Sequence, residues 1–459
     1  MAVVVRSSKL SLPNASLSPS SPRVSSLLFE PISSSLALSL SDSSISLYPS
    51  LFPFSSSSLS YPQTLIPAPC SSTSFLLLRS RDSNPGEGSG NRSSARVLFV
   101  VAGPYRGGSR VLLRFYALRE EDKGFVRAQV VCDQKGMEFD RKVGVLLNLS
   151  HGVSVKVTGS VNYFAMHSVS NSKILIFGVK LMSDGNGDEA VVVKLMRCGV
   201  VECSRPVWSI GIFSGMLLLG EDNGVRVLNL REIVKGSVKK VKNSGRLEDK
   251  RLRGHNVDRR SVSGNGYLDG KKERHAVHAS QRLSKHRQES SEASMCFVSF
   301  QKKVADMDVN LESKSCPVMS VKAISIQALS SKRFLILDSA GYIHVLHVSG
   351  HPLGSNFACN MQQLPHFMEV QMLAVLPEIT AETKNIWVSD ADYSMHVLTI
   401  RDEDTAIEER DGDKKEKTPL QVSVTHAIFT PEKIQDIVPL DGNGILILGL
   451  GSLYAYAFS

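Results

Sequence analysis

With 459 residues, 42% of them hydrophobic, the chain is long enough to bury a sizeable core or several. Its formal charge of +9 favours acidic partners such as nucleic acid, an anionic surface or an acidic protein. Seven scattered cysteines without a C-x-x-C pair argue against a disulfide framework, and no apolar run approaches the roughly 20 residues that span a bilayer, so a soluble chain is expected.

Residues 1–94 differ in composition from the rest. Serine, leucine and proline dominate, and Glu30 and Asp42 are the only acidic residues before Asp82. The opening Met1-Ala2-Val3-Val4-Val5-Arg6-Ser7-Ser8-Lys9 resembles a chloroplast transit peptide, although Arg23 and Arg79 bracket a stretch with no basic residue. Two other readings stand beside it: a disordered tail, or translated leader sequence ahead of the true start.

From Arg96 the pattern turns to strands. Val97–Val101 and Arg110–Leu118 read as a first hairpin, Val143–Leu149 and Val153–Thr158 around Ser-His-Gly as a second, and Lys173–Leu181 with Ala190–Met196 as a third. Four later stretches repeat one design: Leu217–Leu230, Phe334–Val348, Ile386–Ile400 and Ile445–Phe458. Each is an apolar run, a tight turn with Gly, Asp, Asn or Ser, then an alternating strand. A run that is apolar on both faces belongs in the middle of a covered sheet. Val345-Leu346 and Val397-Leu398 lie about 50 residues apart, the period of a four-stranded propeller blade with its loops. Strands at Val318–Ala328, Val370–Leu376 and Ile434–Leu440 precede the last three hairpins. The pattern predicts an all-β, six- or seven-bladed propeller over 95–459, closed by a strand near Arg96.

One interval breaks the pattern. Residues 236–291 are polar and basic, with too few apolar residues to offset the entropy of ordering, so a disordered insertion is expected there. Its basic clusters are Lys239, Lys240 and Lys242; Lys250, Arg251 and Arg253; Arg259 and Arg260; and Lys271, Lys272 and Arg274. Such clusters serve as a nuclear localisation signal or a phosphate contact, or are simply a solvated loop. Tyr267 is its only aromatic residue, so base stacking is not supported. A second exposed loop is expected at 401–417.

The repeated hairpins resemble the WD40/YVTN-like β-propeller superfamily over 95–459, through periodicity and not through signature residues. No Gly-His opens successive blades, and neither Trp208 nor Trp387 is followed by Asp. The resemblance implies a scaffold or docking role, without the tetrad that braces WD40 blades.

Chemistry has little purchase. His344 and His347, three apart on a strand, point to opposite faces and read as exposed strand residues, not as zinc ligands. His255, His275, His278 and His286 fall in the basic insertion. Gly442, Gly444, Gly449 and Gly451 are turn glycines, with no phosphate-loop pattern. Asp222, Asp338 and Asp390 recur at nearly equal positions, which fits side-chain bonding within turns better than a metal ring. No catalytic residue, cofactor or metal is expected. The sequence reads as a non-catalytic scaffold for protein partners. The alternatives are a nucleic-acid-associated factor using the insertion, and a chloroplast assembly factor. The insertion points to the nucleus, the N-terminus to the chloroplast.

Overall fold

The computed structural model describes residues 5–10, 21–51, 62, 64–79, 95–119, 124–182, 191–236, 295–300, 320–349, 357–376, 383–401, 422–440 and 443–458. Their strands form seven sheets. The first strands of the seven touch one another in cyclic order, so the sheets are blades around an axis: a seven-bladed β-propeller.

Blade 1 comprises Val24–Glu30, Ser35–Leu40, Ile45–Tyr48 and Thr64–Ile66, from the axis outward. Blade 4 (Ser209–Phe213, Met216–Glu221, Gly224–Asn229, Met295–Ser299) is equally regular. So are blade 5 (Ala323–Ala328, Arg333–Asp338, Ile343–Ser349, Ala358–Gln363) and blade 6 (Met372–Val375, Thr383–Ser389, Ser394–Arg401, Val422–Phe429). Blade 7 has Asp436–Pro439, Gly444–Leu448 and Leu453–Phe458, and takes its outer strand, Val5–Leu10, from the far end of the chain. Val5 pairs with Phe458 and Leu10 with Leu453.

Closure by an N-terminal strand is therefore realised, but by Val5–Leu10 and not by a strand near Arg96. The expectation of a disordered tail over 1–94 is corrected for the described residues. They supply the closing strand, all of blade 1 and the inner strand of blade 2, Ser72–Leu78. The serines that suggested a tail are accommodated by hydrogen bonds. Ser35, fully buried, donates its hydroxyl to Pro49 O at 2.9 Å.

Blades 2 and 3 interlock. In blade 2, Arg96–Tyr105 and Arg110–Leu118 pair as the predicted hairpin. The outer position is shared by Phe125–Arg127 and Gly144–Leu147. Gln129–Val131, from the same connection, crosses to blade 3 and pairs parallel with Val192–Glu202. The predicted hairpin of 143–149 with 153–158 does not form. Gly144–Leu147 is an outer strand of blade 2 and Val155–Gly159 the inner strand of blade 3. The Ser-His-Gly segment between them is a crossover, and local turn chemistry does not reveal which strand a neighbour pairs with. The third hairpin, Lys173–Met182 with Val192–Glu202, forms as read.

The core is not one mass but seven clusters, each shared by two adjacent blades. The apolar runs explain this. Successive strand side chains point to opposite faces. Phe334 and Ile336 therefore pack toward blade 4, while Leu335 and Leu337 pack toward blade 6. Likewise Ile445 and Ile447 face blade 6, and Leu446 and Leu448 face blade 1. A second strand serves two interfaces at once, which is why it is apolar at every position.

Candidate interaction face

Antiparallel strands put all second-to-third turns and all outer-to-inner crossovers on one face of the ring. The inner-to-second and third-to-outer connections lie on the other. On this crossover face a backbone hydrogen bond recurs between the turn and the crossover that follows in blades 1 to 6. Cys70 N donates to Ser43 O (2.9 Å), His151 N to Gly108 O (2.6 Å), Cys203 N to Ser172 O (2.8 Å), Val370 N to Gly341 O (3.2 Å) and Ile434 N to Asp392 O (2.7 Å). In blade 4 the direction reverses, with Asn223 N donating to Val321 O at 2.6 Å. Backbone groups need no particular side chain, so this lock does not depend on signature residues.

The carboxylates on this face are satisfied in different ways. Asp338 Oδ1 accepts from Ala340 N and Tyr342 N, both at 2.9 Å, and its Oδ2 pairs with His344 Nε2 at 2.8 Å. Asp390 accepts from Asp392 N (2.9 Å) and from the Ser394 hydroxyl (2.7 Å), bonds that hold its carboxyl below the usual range against the cost of burial. Trp208 Nε1 donates to Asp222 Oδ1 at 2.9 Å, and Lys322 lies 4.0 Å from the centre of that indole. Buried Glu221 pairs with Arg226. Glu432 reaches Tyr454 Oη at 2.8 Å and Gly451 N at 3.0 Å.

Asp338 and Asp390 thus bond within their turns, as read, whereas Asp222 departs from that reading and accepts from Trp208 of the preceding crossover. His344 departs from its reading: it is buried, bonded to Asp338 and stacked 4.4 Å from the Phe300 ring, while His347 is exposed on the opposite side. Among the described residues no group of three or more His, Cys, Asp or Glu side chains is placed to hold a metal ion.

What remains outward on this face differs around the ring. Over blades 5 to 7 it is apolar and aromatic: Tyr342 and Phe367 in the blade 5 sector, Tyr393 (54% exposed) and Phe429 (76%) in blade 6, and Leu450 (55%) in blade 7. Thr430 N donates to Tyr393 O at 2.9 Å, which brings Phe429 alongside the Tyr393 turn. The Tyr342 ring lies 4.8 Å from that of His366, and Lys433 pairs with Asp392 at 2.9 Å beside Tyr393. Over blades 1 and 2 the face is instead hydroxyl-rich. A cleft of about 340 Å³ is lined largely by serines, among them Ser25, Ser26, Ser39, Ser43 and Ser71. Beside it, buried Arg114 donates to Pro67 O (3.1 Å) and to Cys70 Sγ (3.1 Å). Burial pushes the Cys70 thiol up, and the guanidinium partly offsets that.

The eleven basic residues singled out from the sequence, Lys239 to Arg274, lie outside the described residues, as does the loop expected at 401–417 beyond Arg401, which ends a strand of blade 6. Their roots are described. The chain leaves through a helical turn at 230–236 after the third strand of blade 4 and returns at Met295 in the outer strand, both on the face opposite the aromatic arc. Residues 236–291 hold 15 Lys and Arg against 6 Asp and Glu, so the whole excess of +9 resides there and the rest of the chain is neutral. The aromatic arc was missed from sequence. Its signal was faint: Tyr342 and Tyr393 each stand one residue beyond the turn residues Gly341 and Asp392, where nothing in the turn needs a ring.

No family model and no curated protein matches the chain by sequence. Among solved structures, it is similar to the β-propeller domain of Cps50 (Swd1) from Myceliophteria thermophila, at 9% identity and a TM-score of 0.45, covering 96% of this chain and 97% of that one. U3-55K follows at 8% identity and 0.40, covering 99% and 98%. The WD40 repeats of RRP9 match at 8% identity and 0.38, covering 99% and 97%. Likenesses this distant assign nothing further. The propeller assignment rests on the cyclic strand order and the closing pair of this chain itself.

Proposed function

We propose that this chain is a non-catalytic propeller scaffold that docks protein partners on its crossover face, chiefly across blades 5 to 7. The supporting observation is the contrast between polar groups turned inward and rings turned outward. Asp338 and Asp390 are bonded within their turns and Glu432 within the crossover and turn of blade 7, whereas Tyr342, Phe367, Tyr393, Phe429 and Leu450 face solvent. Aromatic residues on a rigid, self-satisfied surface are the composition of protein docking sites, where rings supply area at low entropic cost. The test is a photo-crosslinker placed at Tyr393 and, as control, at Ile32 on the opposite face. Specific adducts at Tyr393 that vanish in a Phe429→Ala background support the reading; equal labelling at both positions overturns it.

A second reading rests on the charge distribution. With the full excess of +9 confined to 236–291, the insertion is a basic arm for nuclear import or phosphate contact. Deleting 236–291 should abolish nuclear accumulation and flatten any salt-dependent nucleic-acid affinity. Affinity that survives the deletion refutes the arm. A chloroplast assembly role requires a processed N-terminus. A mature start beyond Leu10 would leave blade 7 with three strands, so sequencing the native N-terminus tests that assignment directly.

A further inference from the structure

Two cysteines that the scaffold reading leaves unused meet between blades. Cys296 lies on the outer strand of blade 4, Met295–Ser299, and Cys359 on the outer strand of blade 5, Ala358–Gln363. These two outer strands touch across the blade interface. Their register shows where the side chains go. Cys296 sits opposite Val227 and Cys359 opposite Val348. Directly opposed residues share a face of the sheet, and Val227 and Val348 both belong to the apolar cluster between blades 4 and 5. Both cysteines therefore enter one interface from its two sides, and Cys296 stands near enough to raise the Cys359 thiol. Both are half-buried and unbridged. Cys70 and Cys198 have other partners, Arg114 and the Met196 carbonyl.

We propose that Cys296 and Cys359 form a redox-active pair that closes into an inter-blade disulfide when exposed to a low-molecular-weight disulfide. The closure would fasten the outer edge of blade 4 to blade 5. Met295 is the first described residue after the basic insertion, so the same bond anchors the insertion's returning stem.

The chemistry is thiol–disulfide exchange. The Cys296 thiolate attacks one sulfur of oxidised glutathione; a protein–glutathione S–S bond forms, and one glutathione leaves as thiolate. Cys359 then loses its proton to solvent and attacks Cys296 Sγ, expelling the second glutathione. Two protein thiols are oxidised and one glutathione disulfide is reduced to two thiols, so electrons balance. Burial and the neighbouring Cys296 push the Cys359 thiol well up, which assigns it the second, resolving role. A small dithiol reverses the sequence.

The experiment incubates the full-length protein with oxidised glutathione, quenches with acid and counts the remaining thiols with a maleimide mass tag. Of seven thiols, two should be lost without a retained glutathione, and proteolysis should release one linked peptide containing Cys296 and Cys359. The oxidised protein should melt about 2–5 °C higher than the reduced one. Cys296→Ser and Cys359→Ser should each lose both the linked peptide and the shift. Seven titratable thiols after oxidation, a linkage joining other cysteines, or a glutathione adduct that persists on Cys296 would each overturn the proposal. The thiol count on the unmodified protein keeps the test valid if either variant folds poorly.

Discussion

The third-to-outer connections of blades 2 and 4 are both long, and they behave in opposite ways. In blade 2 that connection folds back. Phe125 and Val130 are buried, Phe125–Arg127 completes the blade's own edge, and Gln129–Val131 becomes an extra strand of blade 3. In blade 4 the equivalent connection carries the net charge of the whole chain and few apolar residues. The difference teaches how this fold absorbs added sequence. A connection hanging from an outer strand can grow, because that edge faces solvent. Apolar content then decides whether the addition packs against a neighbour. On the crossover face, by contrast, the turns of blades 1 to 6 are tied to the following crossovers by backbone hydrogen bonds.

Removing the two segments that composition marked as dispensable sharpens this comparison most. Deleting residues 1–10 should open the ring at Leu453–Phe458, promote aggregation and lower the melting midpoint by about 10 °C or more. Deleting 236–291 should move the midpoint by less than about 2 °C. Thermal melts of the two truncations side by side check it; similar losses would mean that the insertion packs on the ring.

Trp387 is the largest fully buried side chain and stacks 5.5 Å from Phe458 in the interface of blades 6 and 7. Trp387→Ala should cost about 3–5 kcal/mol in denaturant unfolding.

The seam where blade 7 meets blade 1 holds a buried carboxyl that should make stability depend on pH. Asp436, on the inner strand of blade 7, accepts from Leu27 N of blade 1 at 2.7 Å, and burial raises its carboxyl from 3.8 to about 6. A group that holds its proton more tightly when folded stabilises the fold fully below its unfolded value and loses that contribution as pH rises through the folded one. Stability should therefore fall by roughly 1–3 kcal/mol from this group between about pH 4 and pH 7. Asp436→Asn should flatten that slope, read from denaturation midpoints across the range.

The smallest stability effect belongs to the aromatic arc. Tyr393→Ala with Phe429→Ala should change folding free energy by no more than about 0.5 kcal/mol per site while weakening partner binding at least tenfold. A large loss of stability would mean that these rings serve the fold instead.

Much of the ring was legible because each second strand records its own surroundings. Phe334-Leu335-Ile336-Leu337 is apolar throughout, since alternate side chains serve different blade interfaces. The aspartate turns were legible for a similar reason: Asp338 and Asp390 bond to backbone within four residues. The partner of an outer strand is not a local property. Val5–Leu10 buries only Leu10 and pairs with a segment at the opposite end of the chain, so nothing in its six residues announces a strand. The serine-rich blade 1 was hidden because its polar residues are satisfied by bonds such as Ser35 to Pro49, which only the folded chain supplies. His344 was misjudged alike, because the Asp338 carboxylate that lets it be buried arrives across the hairpin. From Arg96 onward the sequence by itself determined most strands and turns, which are governed by contacts within a few residues, and it gave the address of the excess charge. Tertiary structure alone decided which strand closes the ring, which hairpins are crossovers, and which rings and thiols face one another, because those pairings join residues that the chain keeps far apart.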